Sequence, residues 1–367
     1  MSRRKSLSCW VCLSACCALL SCGNTGAPER NYGSLLQTLT EQVILPEHQD
    51  FATQADALVV SVQALSDKPS AANLKAAQAA WREARRAWRV LDAVHIGPEL
   101  TLLIQDRIDV SPVDSGGIEA IVTGKDVVDD QAVGKAGGKK KGFFGLEYLL
   151  FSDSSAAKDT PAPALADDAA APRRRTWAIS IADEIASSAH DLDNAWEPSG
   201  DNYAQQLELA GAGSTKYATQ RAAVDALVAG GVANALEYIV GVRLAPPLGR
   251  TSGGTPDPTL DPTRRSDSAV ADMQASLSGV VALYQGDGFS ALVKAQNSNL
   301  DKAVTQELTD ANSALAAIPA PFSDAVVNDT QAVQAAYDGA KSLKTTWNTD
   351  VSSALGAIPK PSDPDGD

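Results

Sequence analysis

A single glutamate inside an apolar segment is the residue whose type and setting point most clearly to chemistry. Glu147 lies in residues 143–151, a run that otherwise contains only apolar residues, tyrosine and glycine. Because a helix that is apolar on all sides is usually buried, an ionised carboxylate there needs a cation, an arginine or hydrogen-bond donors, or else must be protonated. Two interpretations follow. Glu147 is a metal-binding or ligand-binding carboxylate, or it forms a buried ion pair with Arg107 or an arginine of residues 82–89.

Histidine and cysteine usage restricts the kind of metal site that is possible. The chain has only three histidines, at positions 48, 95 and 190, so a metal site would depend on carboxylates. All five cysteines lie in the first 22 residues, which excludes thiol catalysis, zinc knuckles and iron–sulfur ligation elsewhere. The zinc-peptidase motif His-Glu-x-x-His is absent. A carboxylate-only site would favour a hard cation such as ferric iron.

The N-terminal residues have the pattern of an export signal. Three basic residues at 3–5 precede an apolar stretch at 7–20, and the sequence Leu-Leu-Ser-Cys ending at Cys22 resembles the lipobox of bacterial lipoproteins. We therefore predict a signal peptide over 1–21, lipid attachment to Cys22, and a tether over 22–33. The alternative is an ordinary secretory peptide with an incidental cysteine. Several acyl chains on one cysteine would anchor the protein stably to a membrane.

Net charge and the residues after the predicted cleavage site indicate where the protein works. The chain carries 31 basic and 45 acidic side chains, for a net charge of −14. Removal of the signal peptide takes away three basic residues, so the mature net charge is −17 (28 basic minus 45 acidic side chains). Nucleic acid is excluded as the main partner because phosphate contacts need a basic surface. Gly23 and Asn24 stand where aspartate would favour inner-membrane retention, so we expect the periplasmic face of the outer membrane.

The elements that must position these residues are helices. Apolar residues recur at intervals of three and four over 51–65, over a helix that Ser70 caps and that ends near Gly97, and over 333–355. Alternating strand-like runs are scarce, so an all-α fold of helical bundles is expected. The arginines at positions 82, 85, 86 and 89 lie on the second face of the helix after Ser70 and are interpreted as a solvated surface.

A short internal sequence repeat suggests duplication of a bundle. The segment 145–150 (GLEYLL) matches 235–240 (ALEYIV), and each segment places one glutamate, Glu147 or Glu237, in an apolar helix. We therefore expect a first helical bundle over 34–152, a linker over 153–172 and a second bundle over 173–358. Each bundle would bring its glutamate inward.

Five segments in order resemble a known family, the imelysin-like exported proteins of bacteria. The resemblance covers about residues 34–358 and depends on the order and spacing of motifs that are weak singly. These are Val43-Ile44-Leu45-Pro46, Trp81-Arg82-Glu83-Ala84-Arg85 with Trp88, Arg107-Ile108-Asp109 with Pro112, the signature segment 142–150, and Ser266-Asp267-Ser268 before an apolar helix.

The resemblance implies two bundles related by duplication, forming one imelysin-like domain with a site at their junction. The family was named for a proposed metallopeptidase activity, and its members are associated with iron acquisition in the bacterial envelope. By position, Glu147 corresponds to the signature glutamate and is the implied ligand for iron or another cation. Its implied site neighbours are Arg107, Asp109, Ser266 and Asp267, and Glu237 is the duplicate glutamate.

One departure from the family pattern shapes the functional expectation. Phe144 stands at the signature histidine, and a phenylalanine can neither ligate a metal nor transfer a proton. Asn234 occupies the corresponding position before Glu237. We therefore expect a non-enzymatic, lipid-anchored protein that binds iron or another ligand and works with other iron-uptake proteins of the envelope. The alternatives are an imelysin-type metallopeptidase and a scaffold whose site has decayed.

Overall fold

Helices form nearly all of the regular backbone in the computed structural model, which describes residues 30–152 and 162–357. No strand occurs within these two ranges. The expected all-α class is confirmed, whereas the internal duplication stays a prediction.

The described residues form α-helices with the following bounds. In the first part of the chain they are α1 (Gly33–Leu39), α2 (Leu45–Asp67), α3 (Ala71–Val90), α4 (Pro98–Thr101), α5 (Ile104–Ile108), α6 (Ser115–Thr123), α7 (Asp130–Lys135) and α8 (Gly142–Leu150). After residue 162 they are α9 (Ala171–Trp196), α10 (Ala204–Glu208), α11 (Gln220–Asp225), α12 (Ala233–Glu237), α13 (Ala269–Tyr284), α14 (Phe289–Gln296), α15 (Ser298–Ala316), α16 (Phe322–Asn328), α17 (Thr330–Thr346) and α18 (Ser352–Leu355). Four π-helical segments, Thr40–Ile44, Ala226–Val232, Tyr238–Leu244 and Trp347–Val351, continue or join these helices, and short 3₁₀ turns lie at Leu91–Val94, Gly138–Lys140, Pro163–Leu165 and Pro258–Leu260.

Helix α3 shows how local sequence sets an element. The Ser70 side chain caps it by accepting a hydrogen bond from the Asn73 amide at 3.2 Å, as the sequence predicts. Trp81 and Trp88 are buried on its apolar face. The helix tightens into a 3₁₀ turn and the chain reverses at Gly97, whose φ of 57° suits glycine.

The first helical group consists of α2, α3, α8 and α9, each packed against the next around a ring. Helix α9 lies between α2 and α8, although the sequence analysis placed residues 173–196 in the second bundle. The predicted linker over 153–172 therefore does not separate the two groups. A long helix on the far side of the connection returns to complete the first bundle because its apolar face, with Trp177 and Ile181, is buried there.

The second helical group consists of α12 with its flanking π segments, α13, α15 and α17. It meets the first group where α13 packs along α3, and one continuous apolar core runs through both. The stretch Gln220–Leu244 is long and apolar enough to cross a membrane by composition, but 61% of its most apolar window is buried inside the fold. It is therefore placed as a core helix of the second group.

Candidate functional site at the junction of the two helical groups

Glu147 lies on α8 in the interior, with about 1% of its surface exposed. Its Oε1 accepts hydrogen bonds from the Ser266 backbone amide at 2.9 Å and from the Ser266 hydroxyl at 2.7 Å. Gly142 allows α8 to begin here, because its φ is 63° and a Cβ would lie 2.3 Å from the Ile108 carbonyl oxygen. Gly142, the first residue of the signature, is therefore needed for the close approach of the start of α8 to the backbone of Ile108.

The segment that supplies Ser266 ends a long irregular connection between residue 245 and the start of α13. The Ser266 hydroxyl also lies 3.2 Å from the Thr263 carbonyl oxygen and 3.1 Å from the Ser268 hydroxyl. Asp267 adopts a φ of 53°, and its carboxylate accepts a hydrogen bond of 2.9 Å from the Phe322 amide. This segment therefore covers Glu147 and is tied to both helical groups.

Arg85 is the central cation of the site. It is almost fully buried, and it donates from Nη1 to Asp109 and from Nε to Asp272, both at 2.8 Å. Its guanidinium carbon lies 4.7 Å from the ring centroid of Phe144, the residue at the signature histidine position. Because Asp109 follows α5 and Asp272 lies on α13, Arg85 joins the two helical groups through paired charges.

Arg89 extends the same network one turn further along α3. Its Nη2 lies 2.7 Å from Asp109 and 3.4 Å from Asp92. Asp92 accepts a hydrogen bond from the Ser276 hydroxyl of α13. The Arg89 guanidinium also stacks 4.5 Å from the ring centroid of Tyr238, so aromatic contact and charge pairing both stabilise the buried cation.

A third buried arginine completes the network from the second group. Arg243 donates to Asp261 at 3.2 Å and to the Thr263 hydroxyl at 2.6 Å. Its guanidinium lies 5.9 Å from the Tyr238 ring centroid. We call the whole set the junction cluster: Arg85, Arg89, Asp92, Asp109, Glu147, Tyr238, Arg243, Asp261, Ser266 and Asp272.

Two carboxyl groups of the junction cluster titrate near neutral pH. Burial raises the pKa of Glu147 to about 7 against the opposing effect of the Ser266 hydrogen bonds. Burial likewise raises the pKa of Asp92 to about 6, although Arg89 opposes it. Burial also disfavours the charged form of Asp109, but Arg89 and Arg85 outweigh it and hold its pKa below the usual value. The cluster therefore combines permanent ion pairs with protonatable groups.

The structure brings together only some of the residues predicted for the site. Glu147, Asp109 and Ser266 belong to the junction cluster, and Asp267 lies beside it. Burial raises the pKa of the Asp267 carboxyl. The interpretation of Glu147 as one half of a direct arginine pair is wrong, because its hydrogen bonds come from Ser266.

Two predicted site residues lie elsewhere. Arg107 points to α9, where it binds Asp191 at 2.8 Å and lies 3.4 Å from Glu184. Glu237 pairs with Lys344 and is about one quarter exposed. The expectation that each bundle brings a glutamate inward is therefore wrong for Glu237, which faces α17 beside a lysine.

A bare metal ion does not fit the donors around Glu147. Within residues 30–152 and 162–357, no three histidine, cysteine, aspartate or glutamate side chains converge to hold a metal. Asp109 and Asp272 are already engaged by Arg85, and Asp261 by Arg243. Buried guanidinium groups repel a cation, so the carboxylate ligation of a metal by Glu147 is not supported in this arrangement.

The sequence analysis missed the arginines of the cluster. Arg85 and Arg89 were interpreted as part of a solvated face, yet both are buried. A usable signal existed in the sequence, because Trp81, Arg85 and Arg89 recur at intervals of four and so follow one line along α3. That line is covered by α13 and by Phe144, which a single helix cannot reveal.

Comparison with known proteins places this geometry in a family. The sequence model described as Imelysin (Peptidase_M75) matches residues 44–346, most of the chain. The chain belongs to the imelysin family. It is 27% identical over 321 residues to a protein named Iron-regulated protein A from Synechococcus elongatus, a match that covers 85% of this chain and 82% of the relative.

Solved structures share the fold. The crystal structure of an iron-regulated protein A precursor from Parabacteroides distasonis superposes with a TM-score of 0.75 at 21% identity, covering 90% of this chain and 97% of that one. An imelysin-like protein from Psychrobacter arcticum gives a TM-score of 0.72 at 18% identity, covering 89% and 96%. At these identities the likeness establishes the fold of this imelysin, and its chemistry must come from its own residues.

Proposed function

We propose that this imelysin is a non-enzymatic, lipid-anchored envelope protein that binds a charged ligand of iron uptake, an iron–carboxylate complex rather than the bare ion, at the junction cluster. Membership in the imelysin family and the likeness to a protein named Iron-regulated protein A support the link with iron. The lipobox-like sequence ending at Cys22 supports the anchor, with the periplasmic face of the outer membrane as the location. Other iron-uptake proteins of the envelope are the partners we expect.

The observation that carries the proposal is the way Glu147 is held. Both of its hydrogen bonds come from Ser266, at the end of a connection that has little regular structure between Leu244 and Ala269. Connections this long inside a compact domain commonly serve a function. Burial raises the pKa of Glu147 to about 7 while Ser266 covers it, and displacement of Ser266 would open this carboxyl group to a ligand near the buried Arg85. A ligand that carries both a metal and carboxylates would satisfy these mixed charges better than a bare cation.

Binding isotherms test the proposal on the full chain. Ferric iron and ferric citrate are titrated calorimetrically into the wild type, Glu147→Ala and Glu237→Ala. Glu237 is the matched control because it occupies the position equivalent to Glu147 in the repeated segment but pairs with Lys344 outside the cluster. We expect ferric citrate to bind the wild type and the control and to bind Glu147→Ala at least about tenfold more weakly, whereas bare ferric iron should show no binding that depends on Glu147. Equal ferric citrate isotherms for all three chains would contradict the proposed site.

The residues oppose the peptidase activity for which the family was named. Phe144 packs over Arg85 where the signature has histidine, so no imidazole shares a metal with Glu147. We expect no chelator-sensitive cleavage of an unfolded protein substrate by the wild type. Phe144→His, which restores the histidine of the family signature, is assayed beside the wild type for comparison. Cleavage by the wild type that a chelator and Glu147→Gln both abolish would revive the enzymatic alternative.

A further inference from the structure

Three leucines in one short segment are exposed together. Leu100, Leu102 and Leu103 are 53%, 37% and 59% exposed, and we call them the leucine tip. The other large apolar side chains exposed among the described residues are spread over separate positions: Val60, Val127, Leu209, Val242, Leu260 and Val327. Single exposed apolar residues are normal on a soluble surface, whereas a cluster indicates a contact with something else.

The segment that carries the leucine tip is held firmly from below. Glu99 is buried, lies 2.8 Å from His48 Nε2, and accepts a hydrogen bond of 3.2 Å from the Trp196 indole. Leu103 adopts a φ of 52°, a left-handed conformation that a leucine rarely takes. Such a conformation persists only where the surrounding structure determines it. The fold therefore displays these leucines in a fixed arrangement.

The segment that carries the leucine tip is linked to the first described helix through Tyr203. A Cβ on Gly97 would lie 2.3 Å from the Tyr203 ring, so the segment before the tip packs directly on that tyrosine. Tyr203 precedes α10, and α10 packs against α1. Tyr203 is thus a neighbour of the segment before the tip, and the helix that follows Tyr203 is a neighbour of α1.

Chain length sets an upper limit on the distance between the predicted anchor and the leucine tip. Ten residues separate Cys22 from Tyr32, and an extended chain of that length spans at most about 34 Å. His48, which binds Glu99, follows Gly33 by 15 residues of continuous helix, a rise of about 22 Å. A membrane holding Cys22 is therefore within reach of the leucine tip.

We propose that the leucine tip inserts into the membrane surface to which Cys22 tethers the protein, and so orients the imelysin body on the lipid. The inference rests on the anchoring part of the proposed function. Residues 95–106 contain no lysine or arginine, so this segment itself offers no attraction to anionic headgroups. Burial of the three apolar side chains among lipid chains would contribute to the free energy of membrane binding, in addition to the contribution of the acyl anchor.

The cysteine content of the chain makes a direct test possible. All native cysteines lie at or before Cys22, so Leu102→Cys provides a single labelling site in the processed, acylated protein. An environment-sensitive fluorophore on this cysteine is followed in phosphatidylcholine vesicles that contain a lipid-borne quencher. The matched control is Leu260→Cys, because Leu260 is 43% exposed and its 3₁₀ turn packs against α16, whereas α4 packs against α5 and α9.

The expected result is a blue-shifted emission and quenching at position 102 at least about fivefold greater than at position 260, as insertion by 5–10 Å requires. Addition of Leu100→Ser and Leu103→Ser to the labelled chain should reduce that quenching, with near-UV circular dichroism verifying the fold.

Two labels equally exposed to water on a vesicle-bound protein would overturn the inference and leave the anchor intact. A concentration-dependent shift at 102 without vesicles would overturn it in favour of a second copy of the chain. A protein that is not acylated at Cys22 would refute the anchor itself, and this inference with it.

Discussion

At the scale of single residues, the site is governed by competition between burial and hydrogen bonding at Glu147. The Ser266 donors favour the ionised carboxylate, but loss of water outweighs them, so the pKa rises to about 7. Phe144, at the signature histidine position, lies with its ring centroid 4.7 Å from the guanidinium carbon of Arg85. A protonatable carboxyl beside permanent cations is thus produced without any histidine.

Replacement of Glu147 by glutamine tests this balance. The folded chain binds the Glu147 proton more tightly than the unfolded chain, whose pKa is near 4.5, so this group stabilises the fold most below pH 4.5. That contribution is lost as pH rises through about 7. Glutamine keeps an oxygen for both Ser266 donors and carries no charge. We expect Glu147→Gln to raise the free energy of unfolding at pH 8 by on the order of 3 kcal/mol and to change it little at pH 4.5.

Urea unfolding of both proteins across this pH range measures the effect. Glu237→Gln is the control, because Glu237 is partly exposed and its replacement removes only a surface ion pair. A difference between Glu147→Gln and the wild type that does not grow with pH would contradict the raised pKa.

At the scale of elements, the site depends on how closely α3 and α13 approach each other. Gly279 of α13 makes this approach possible, since a Cβ there would lie 2.2 Å from the Val90 carbonyl oxygen of α3. The same contact brings Asp272 and Ser276 of α13 to the arginine and aspartate side chains of α3 and its 3₁₀ extension. A helix pair set further apart would leave these charges unpaired.

Two glycines inside helices allow a matched comparison. We expect Gly279→Ala to lower the free energy of unfolding by about 1–3 kcal/mol, because the added methyl group forces α3 and α13 apart. Gly339 of α17 has nothing within 4 Å of its Cβ position. Gly339→Ala should therefore raise stability by about 0.5–1 kcal/mol through helix propensity alone. Thermal or urea unfolding distinguishes the two, and equal effects would show that the close approach is not needed.

At the scale of the whole molecule, buried charges join the two helical groups. Arg85 of the first group binds Asp272 of the second, and Ser266 of the second binds Glu147 of the first. The apolar core is continuous across the same boundary. The groups are therefore expected to unfold together rather than in two steps.

Removal of the central cation tests how strongly the groups are joined. Arg85→Ala leaves Asp109 and Asp272 buried without their partner, so we expect the free energy of unfolding to fall by about 3–5 kcal/mol. Arg86→Ala is the control, because the neighbouring Arg86 is 44% exposed and pairs with Asp50 and Glu83 at the surface. That change should cost less than about 1 kcal/mol. Similar losses in the two variants, measured by urea unfolding, would contradict the role assigned to Arg85.

The proposed lipid anchor at Cys22 also belongs to the scale of the whole molecule. We expect Cys22→Ser to move the protein from the membrane fraction to the soluble fraction of the envelope, because no acyl chains remain to hold it. Fractionation followed by immunodetection measures the distribution. Unchanged membrane association would refute lipid attachment at Cys22.

The sequence by itself determined the helical class, the Ser70 cap and the burial of Glu147, because each depends on residues close together in the chain. It also led to the family, through short motifs in a particular order. Only the tertiary structure decided the partners of Glu147, since Ser266 lies 119 residues away. It also turned Arg85 and Arg89 from an apparent solvated face into buried cations, because α13 covers that side of α3. Long-range packing determines which charged side chains are buried away from water, and the local periodicity of the sequence cannot predict this.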